Sequence, residues 1–423
     1  MQNFEPYFKV IKFLEGLYNL PLVAEYTRGP HQNPEIYIKR MRHFLDLLGN
    51  PEQGFKFIHI TGTSGKGSVA NAVHSVLVQA GYNAGLFTSP FVTTSIEKIK
   101  VREKLIAPKD LVEIVKNLKP LIDRTYQKGP YGGVSYFEIF TAIAFLYFKK
   151  MRCDWVVLEV GLGGRYDSTN IIKNPVITAI TNIGYDHTHI LGKTLSKIAK
   201  DKIGIVKTGS QFFTTEKRPA LLKIFKSECA KVGASFNLVP SSKDYLETNN
   251  NLVQNITGAI GIKESIINQG IKSARLPCRF EIIKRNPFIV LDGAHNESKM
   301  ESTVSNLTKL KYQKLFLILG MAENKDASSI LKILIPKANH VFTTRFEIKE
   351  RKCANPVTLG KIIRTIKKIP LETYLDPWIA LKRARKLATK KDLILVTGSF
   401  FLAGELRTKW HSEVETLTHR SSW

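Results

Sequence analysis

Cysteine is scarce in this chain: Cys153, Cys229, Cys278 and Cys353 are far apart and form no CxxC pair. That spacing excludes a disulfide framework and a cysteine metal site, and reduced thiols in a cytoplasmic protein are expected. Long apolar runs are missing as well. No stretch reaches the roughly 18 apolar residues that a membrane span requires. The opening MQNFEPYFKVIKFLEGLYNL carries acidic residues and lacks the basic-then-apolar order of a secretory leader. Internal repeats and low-complexity segments are absent. Acidic residues are few relative to basic ones, 36 Asp and Glu against 63 Lys and Arg, for a net charge of +27. A field of that sign favours anionic partners. The basic residues are scattered and lack the aromatic interleaving of a single-strand platform, so nucleic acid is not an expected partner.

What is present is alternation. Short β-branched runs (FKFIHI 55–60, AGLFT 84–88, WVVLEV 155–160, VITAIT 176–181) are separated by amphipathic stretches such as SVANAVHSVLVQA and FEIFTAIAFLYFKK. A second set follows at 288–293, 315–320, 340–344 and 393–398. Strands alternating with helices imply an α/β fold, and 423 residues exceed what one core sustains. Proline and basic residues break the pattern in LPCRFEIIKRNP, and VPSSKDYLETNNN at 239–251 reads as a loop. With GTSGKGS after the first strand read as a P-loop, the expected architecture is a parallel-sheet ATPase domain over residues 1–280, followed by a smaller Rossmann-like α/β domain over 281–423.

Between the first strand and helix lies GTSGKGS: Gly62, Thr63, Ser64, Gly65, Lys66, Gly67 and Ser68. A Gly-rich turn from strand to helix gathers backbone N–H groups and the helix dipole around an anion. Lys66 can reach β- and γ-phosphates, where charge moves during transfer. The usual phosphate loop places its hydroxyl directly after the lysine; here Gly67 intervenes. Glu159 ends the strand WVVLEV, where a carboxylate fits a metal ligand opposite the loop.

The spelling GTSGKGS resembles the loop of folylpolyglutamate and dihydrofolate synthases, relatives of the Mur ligases. The likeness continues in order through GLFTSPFV, IEKIKV, SYFEIFTAIAFLYF, LEVGLGGRYDSTN, TNIGYDHTHILG, IAKDKIGIVK, RFEII, LDGAHN, NKD and VTGSFFLAGE. It implies an ATP-dependent ligase that activates a carboxylate as an acyl phosphate and joins L-glutamate to it. The carboxylate belongs to a folate or to dihydropteroate. Another Mur-type amino-acid ligase, or a non-catalytic nucleotide- or nucleic-acid-binding protein, is the alternative.

The resemblance further implies two Mg²⁺ ions, with Ser89, Glu159 and His187 as ligands. Lys202 corresponds to a lysine carried as a carbamate in the family, and Lys66, His187 and Lys202 form the implied catalytic set. In the second domain it gives Asp292 to the ribose, Arg279 to phosphate or an interdomain contact, and His295 and Ser399 to the nucleotide and amino-acid side. The adenine-contacting asparagine is Asn249, Asn251 or Asn255. His189 has no implied role. Departures are Ser64 for Asn, Cys278 for Gly, DGAHNE for DGAHNP and NKD for DKD. A monomeric protein acting on small molecules, without membrane attachment, is expected.

Overall fold

The structure, a computed structural model, describes residues 3–17, 34–347 and 352–423. The chain forms two compact units, one of Met1–Phe91, Ser95–Arg275 and Leu417–Ser421, the other of Val92–Thr94, Leu276–Thr416 and Ser422–Trp423.

In the first unit the strands are β1 (Lys56–Thr61), β2 (Ala84–Phe87), β3 (Ile99–Val101), β4 (Lys104–Leu105), β5 (Trp155–Glu159), β6 (Ile177–Ile180), β7 (Gln211–Thr214) and β8 (Ser235–Leu238). They form one sheet in the order β4-β3-β2-β5-β1-β6-β7-β8. From β2 to β8 every pairing is parallel, and β3 and β4 close one edge antiparallel. The central strands read as continuous apolar runs because both faces are covered. Helices Lys66–Gln79, Tyr245–Gly258 and Glu264–Ser273 pack together, and the first belongs with β1, β2 and β5 to one core cluster. A Cβ on Gly270 would fall 2.5 Å from Val76 Cα, so a glycine is what allows two of these helices to touch.

Helices Pro108–Lys128 and Tyr136–Lys150 belong to a second core. The latter starts with a capping box: Glu138 N–H donates to Ser135 Oγ, and Ser135 N–H to the Glu138 carboxylate. That carboxylate also takes Arg40 Nε at 3.0 Å on both oxygens, in a buried pair.

The second unit holds β9 (Glu281–Arg285), β10 (Phe288–Leu291), β11 (Leu315–Leu319), β12 (His340–Thr343), β13 (Leu371–Thr373) and β14 (Leu393–Thr397), in the order β13-β12-β11-β14-β10-β9. Only β9 runs antiparallel.

Two segment readings are corrected. Residues 239–251 are not all loop, because Asp244 accepts the Leu246 N–H at 2.8 Å and caps a helix that begins at Tyr245. EIIKR is a strand, held as the antiparallel partner of β10. The short strands β3, β4, β7, β8 and β13 lie outside the strands expected from periodicity.

Candidate functional site

Strand β1 sits between β5 and β6, so its carboxyl end opens where the sheet's connections diverge, the usual ligand position in such folds. Loop 62–65 is stitched to the residues after β6. Thr63 N–H donates to Asn182 O (3.0 Å) and Ser64 N–H to Asn182 Oδ1 (2.9 Å). Thr63 Oγ1 accepts Gly184 N–H (2.9 Å) and donates to Gly184 O (3.1 Å), while Thr181 Oγ1 donates to Ser64 O (2.6 Å). The amides of Thr63 and Ser64 are therefore engaged within the protein. Those of Lys66, Gly67 and Ser68 lie in the first helical turn, where no intrahelical acceptor exists, and suit an anion. Lys66 Nζ folds back on Gly62 O at 3.1 Å.

Gly65 caps the helix in the left-handed region at φ +82°. A Cβ there would fall 2.8 Å from Asn249 Oδ1, which puts Asn249 against the loop. Asn251 and Asn255 point elsewhere, donating to Pro240 O and Asn251 O.

Gly67 has a physical explanation. A Cβ on it would lie 3.1 Å from Glu159 Oε2 and 3.3 Å from Oε1. The second glycine leaves room for a carboxylate directly against the first turn. Glu159 arrives there because it pairs in register with Ile60, the residue before the loop strand ends. It is buried, and its Oε2 accepts the Ser89 N–H at 3.1 Å. Ser89, Glu159 and the helix start are thus brought together.

Lys202 ends helix Leu195–Lys202 and is 4% exposed. Its Nζ lies 3.5 Å from Gly163 O, the acceptor that Thr61 Oγ1 also uses at 2.6 Å. Burial lowers its pKa, and the charge of Lys66 lowers it further against opposing Asp201, Asp186 and Asp167. Burial raises the neighbouring Asp201. His187 takes a left-handed backbone (φ +50°), and its Nε2 lies 3.9 Å from Asp186 Oδ1. Among the described residues no three His, Cys, Asp or Glu side chains converge as a metal cage. A hard cation that keeps its waters and phosphate oxygens needs fewer, and Glu159 with the Ser68 and Ser89 hydroxyls is an oxygen set suited to Mg²⁺.

Sequence reasoning missed a buried chain beneath this site. His59 Nε2 lies 2.8 Å from Thr169 Oγ1, which donates to Asp167 Oδ1 at 2.5 Å; Asp167 Oδ2 accepts Leu162 N–H at 3.0 Å. It ties β1 to the glycine loop after Glu159. Burial pushes His59 down to about 3, so its ring is neutral and donates through Nε2. It also missed Lys98, a buried lysine whose Nζ lies 3.8 Å from the Phe140 ring centroid, 4.0 Å from Tyr136 and 5.0 Å from Phe91. The one sequence signal that could have found part of it is the i, i+4 spacing of Tyr136 and Phe140, which puts both rings on one helix face.

In the second unit Asp292 follows β10. Its Oδ1 accepts Ala294 N–H (2.9 Å) and Thr303 Oγ1 (2.7 Å), and Oδ2 accepts Phe280 N–H (2.7 Å). The carboxylate thus organises the turn around it. Arg279 stacks 4.0 Å over the Phe400 ring centroid. His295 Nδ1 lies 2.7 Å from Gly293 O and must donate there, leaving Nε2 to accept from Lys299 Nζ at 3.0 Å. Ser399 caps helix Phe400–Arg407 by accepting Phe401 N–H at 3.1 Å. Cys278 sits at φ +53°, which explains why a glycine suits that position.

Comparison with known proteins agrees with this layout. Residues 60–235 match the Mur ligase middle domain, and residues 278–400 match the Mur ligase glutamate ligase domain. A dihydrofolate synthase/folylpolyglutamate synthase of Bacillus subtilis is 30% identical over 411 residues, covering 88% of this chain and 94% of its own. The structure of Mycobacterium tuberculosis folylpolyglutamate synthase complexed with ADP and AMPPCP superposes with a TM-score of 0.84 at 24% identity, over 96% of this chain and 98% of that one. A bifunctional folylpolyglutamate synthase/dihydrofolate synthase of Yersinia pestis, complexed with AMPPNP and a Mn ion, superposes with a TM-score of 0.81 at 23% identity, over 97% of this chain and 100% of that one. The ordered motifs, the loop built around Lys66 and Glu159, and these likenesses together show that the chain belongs to the folylpolyglutamate synthase/dihydrofolate synthase family of Mur-type ligases.

Proposed function

We propose that this chain joins L-glutamate to the carboxylate of a folate, of dihydropteroate, or of both, at the expense of ATP. The observation that carries the reading is the Glu159 carboxylate seated against the first turn of the phosphate-loop helix, with Gly67 making room for it.

The amides of Lys66, Gly67 and Ser68 would cradle the β- and γ-phosphates, and the Lys66 ammonium would leave Gly62 O to meet charge on the transferred group. Glu159, with the Ser68 and Ser89 hydroxyls, would hold Mg²⁺, and His187 a second ion. When bound, magnesium neutralises the triphosphate and polarises the phosphoryl group. The substrate carboxylate attacks the γ-phosphorus and ADP leaves, giving an acyl phosphate. The glutamate amine then attacks the acyl carbon, phosphate departs, and the ammonium proton passes to solvent. Asn249, which lies against Gly65 of the loop, would be the asparagine that contacts adenine, while Arg279, Asp292, His295 and Ser399 are the second unit's candidates for the nucleotide and amino-acid side.

Lys202 would act as a carbamate. Its lowered pKa supports this, because only the neutral amine reacts with CO₂, releasing one proton. The product replaces a repelled cation with an oxygen ligand. Intact-mass measurement at raised bicarbonate, expected to show the mass of one CO₂ lost on Lys202→Ala, tests it. ATP-dependent incorporation of labelled glutamate, run separately on dihydropteroate and on tetrahydrofolate, tests the ligase reading. Incorporation with at least one is expected, and with neither the reading fails.

A further inference from the structure

The residues that follow β6 are gripped from two sides, and the phosphate loop is only one of them. Thr61 pairs with Ile180, and Ile180 with Thr214, at the carboxyl ends of β1, β6 and β7. Residues 181–184 therefore leave the sheet between the phosphate loop and residues 215–218, at the same edge as Glu159. Asn182 and Gly184 bond to Thr63 and Ser64. Ile183, between them, faces the other way. Its N–H donates to Glu216 Oε2 at 3.2 Å, and its carbonyl accepts from Arg218 Nη2. Thr215 Oγ1 donates to Thr181 O on the same side.

Glu216 and Arg218 close on each other as a fork. Glu216 Oε1 accepts the N–H groups of Lys217 and Arg218, each at 3.0 Å, and Arg218 Nε at 2.7 Å. Oε2 accepts Arg218 Nη2 at 2.6 Å beside the Ile183 N–H. The Glu216 side chain is 4% exposed and that of Arg218 42%. Burial opposes an ionised Glu216, but the bonds from Arg218 outweigh it and hold the carboxyl below its ordinary range. A planar guanidinium can meet both carboxylate oxygens and the Ile183 carbonyl at once, which a single ammonium cannot do. A pair that served only the start of helix Pro219–Val232 would have no use for Ile183. Here one ion pair takes both backbone polar groups of that residue.

We propose that Glu216 and Arg218 are positioning residues for nucleotide binding: they fix Ile183, and through Asn182 and Gly184 they set where Thr63 and Ser64 hold the phosphate loop. The inference rests on the phosphate-loop part of the ligase reading and gives neither residue a contact with ATP. Without Arg218 the Glu216 carboxylate is buried and uncompensated, so it must take up a proton or water. Either change loosens Ile183 and the loop bonded to its neighbours. One side of Arg218 stays open to water, so its loss moves the loop more than it unfolds the chain.

Calorimetry of the full chain with magnesium and a non-hydrolysable ATP analogue reads the loop without turnover. Arg218→Met should weaken analogue binding about tenfold, the order expected when a binding loop shifts by part of an ångström. Lys217→Met removes the same charge from the adjacent, exposed residue and should bind as the unsubstituted chain does. Arg218→Lys keeps the charge but not the fork, and should fall between the two. Amide hydrogen exchange gives a second readout: Thr63, Ser64 and Ile183 should lose protection in Arg218→Met, while the amides within β1 and β6 keep theirs. In turnover, KM for ATP should rise about tenfold and KM for glutamate should not change. Unchanged analogue affinity in Arg218→Met overturns the proposal. An equal loss in Lys217→Met also overturns it, by marking a long-range charge effect, as does protection lost throughout the sheet, by marking a purely structural role. Analogue affinity that follows Arg218 in a chain forming no amide from either folate substrate would count against the ligase reading and leave the positioning role standing.

Discussion

Adding one methyl group at residue 67 should separate folding from catalysis. In Gly67→Ala the new Cβ meets Glu159 Oε2 at 3.1 Å, Oε1 at 3.3 Å and Cδ at 3.5 Å. The two oxygen contacts are tighter than ordinary packing, so the carboxylate must retreat by a few tenths of an ångström. It is buried and held by the Ser89 N–H, so the retreat also pulls on that loop. Alanine gains up to about 1 kcal/mol of helix propensity over glycine. The crowding costs a similar amount, so stability should change by less than about 1 kcal/mol. Activity is more sensitive, because displacing a catalytic group by about 1 Å costs on the order of 10²-fold. A shift of roughly half that should lower kcat about tenfold, with a steeper Mg²⁺ requirement. Urea denaturation and folate-dependent ATP turnover across a magnesium series read both effects on one preparation. A Gly67→Ala enzyme with unchanged kcat and magnesium dependence would refute the role given to the Gly67–Glu159 contact.

Other perturbations have equally definite outcomes. The left-handed backbone of Cys278, at φ +53°, costs a residue with a Cβ about 1 kcal/mol. Cys278→Gly should therefore be about 1 kcal/mol more stable than Cys278→Ala by thermal denaturation, reversing the usual order of these two residues. Lys98→Met should lose about 2 kcal/mol in denaturant titration, because a desolvated cation among three rings is replaced by an apolar chain. Lys98→Arg should recover part of it. His59 and His74 are fully buried and held at about 3 by burial first, with Lys207 and Lys100 adding to it respectively. Unfolded, they titrate near 6.5, so the unfolded chain binds more protons below that pH and stability falls from about pH 6.5 toward 3. Each should contribute about 1.4 kcal/mol per pH unit within that window, and His74→Gln should remove one such share from the slope of stability between about pH 6 and 5.

Much of the fold was legible because the central strands are buried on both faces and read as apolar runs. The eight expected strands fall within a residue or two of β1, β2, β5, β6, β10, β11, β12 and β14. What was hidden is polar or brief. QFFT and SFNL are short strands near one edge of the sheet, and EIIKR becomes a strand only through its pairing with β10. Likewise ETNNN reads as loop until the Asp244 cap is seen.

At the site, the phosphate loop and Glu159 could be read because strand-end position is local information. The reason for Gly67 could not, since it depends on β5 lying beside β1. That Asn249, and neither Asn251 nor Asn255, lies against Gly65 depends on how helix Tyr245–Gly258 meets the loop. The chain His59–Thr169–Asp167 joins residues far apart in sequence, and no periodicity announces it. Asp292 was expected to reach a ligand, yet its oxygens already serve three internal donors, a use that strand-end position alone does not disclose.

The central claim is that a carboxylate is activated by taking the γ-phosphoryl group of ATP. It is tested most directly with a folate substrate labelled with ¹⁸O in its reacting carboxylate, incubated with ATP, magnesium and glutamate. An acyl phosphate requires one labelled oxygen to leave in the phosphate released for each amide formed, and mass spectrometry should find it there. Amide formation accompanied by unlabelled phosphate would contradict the account.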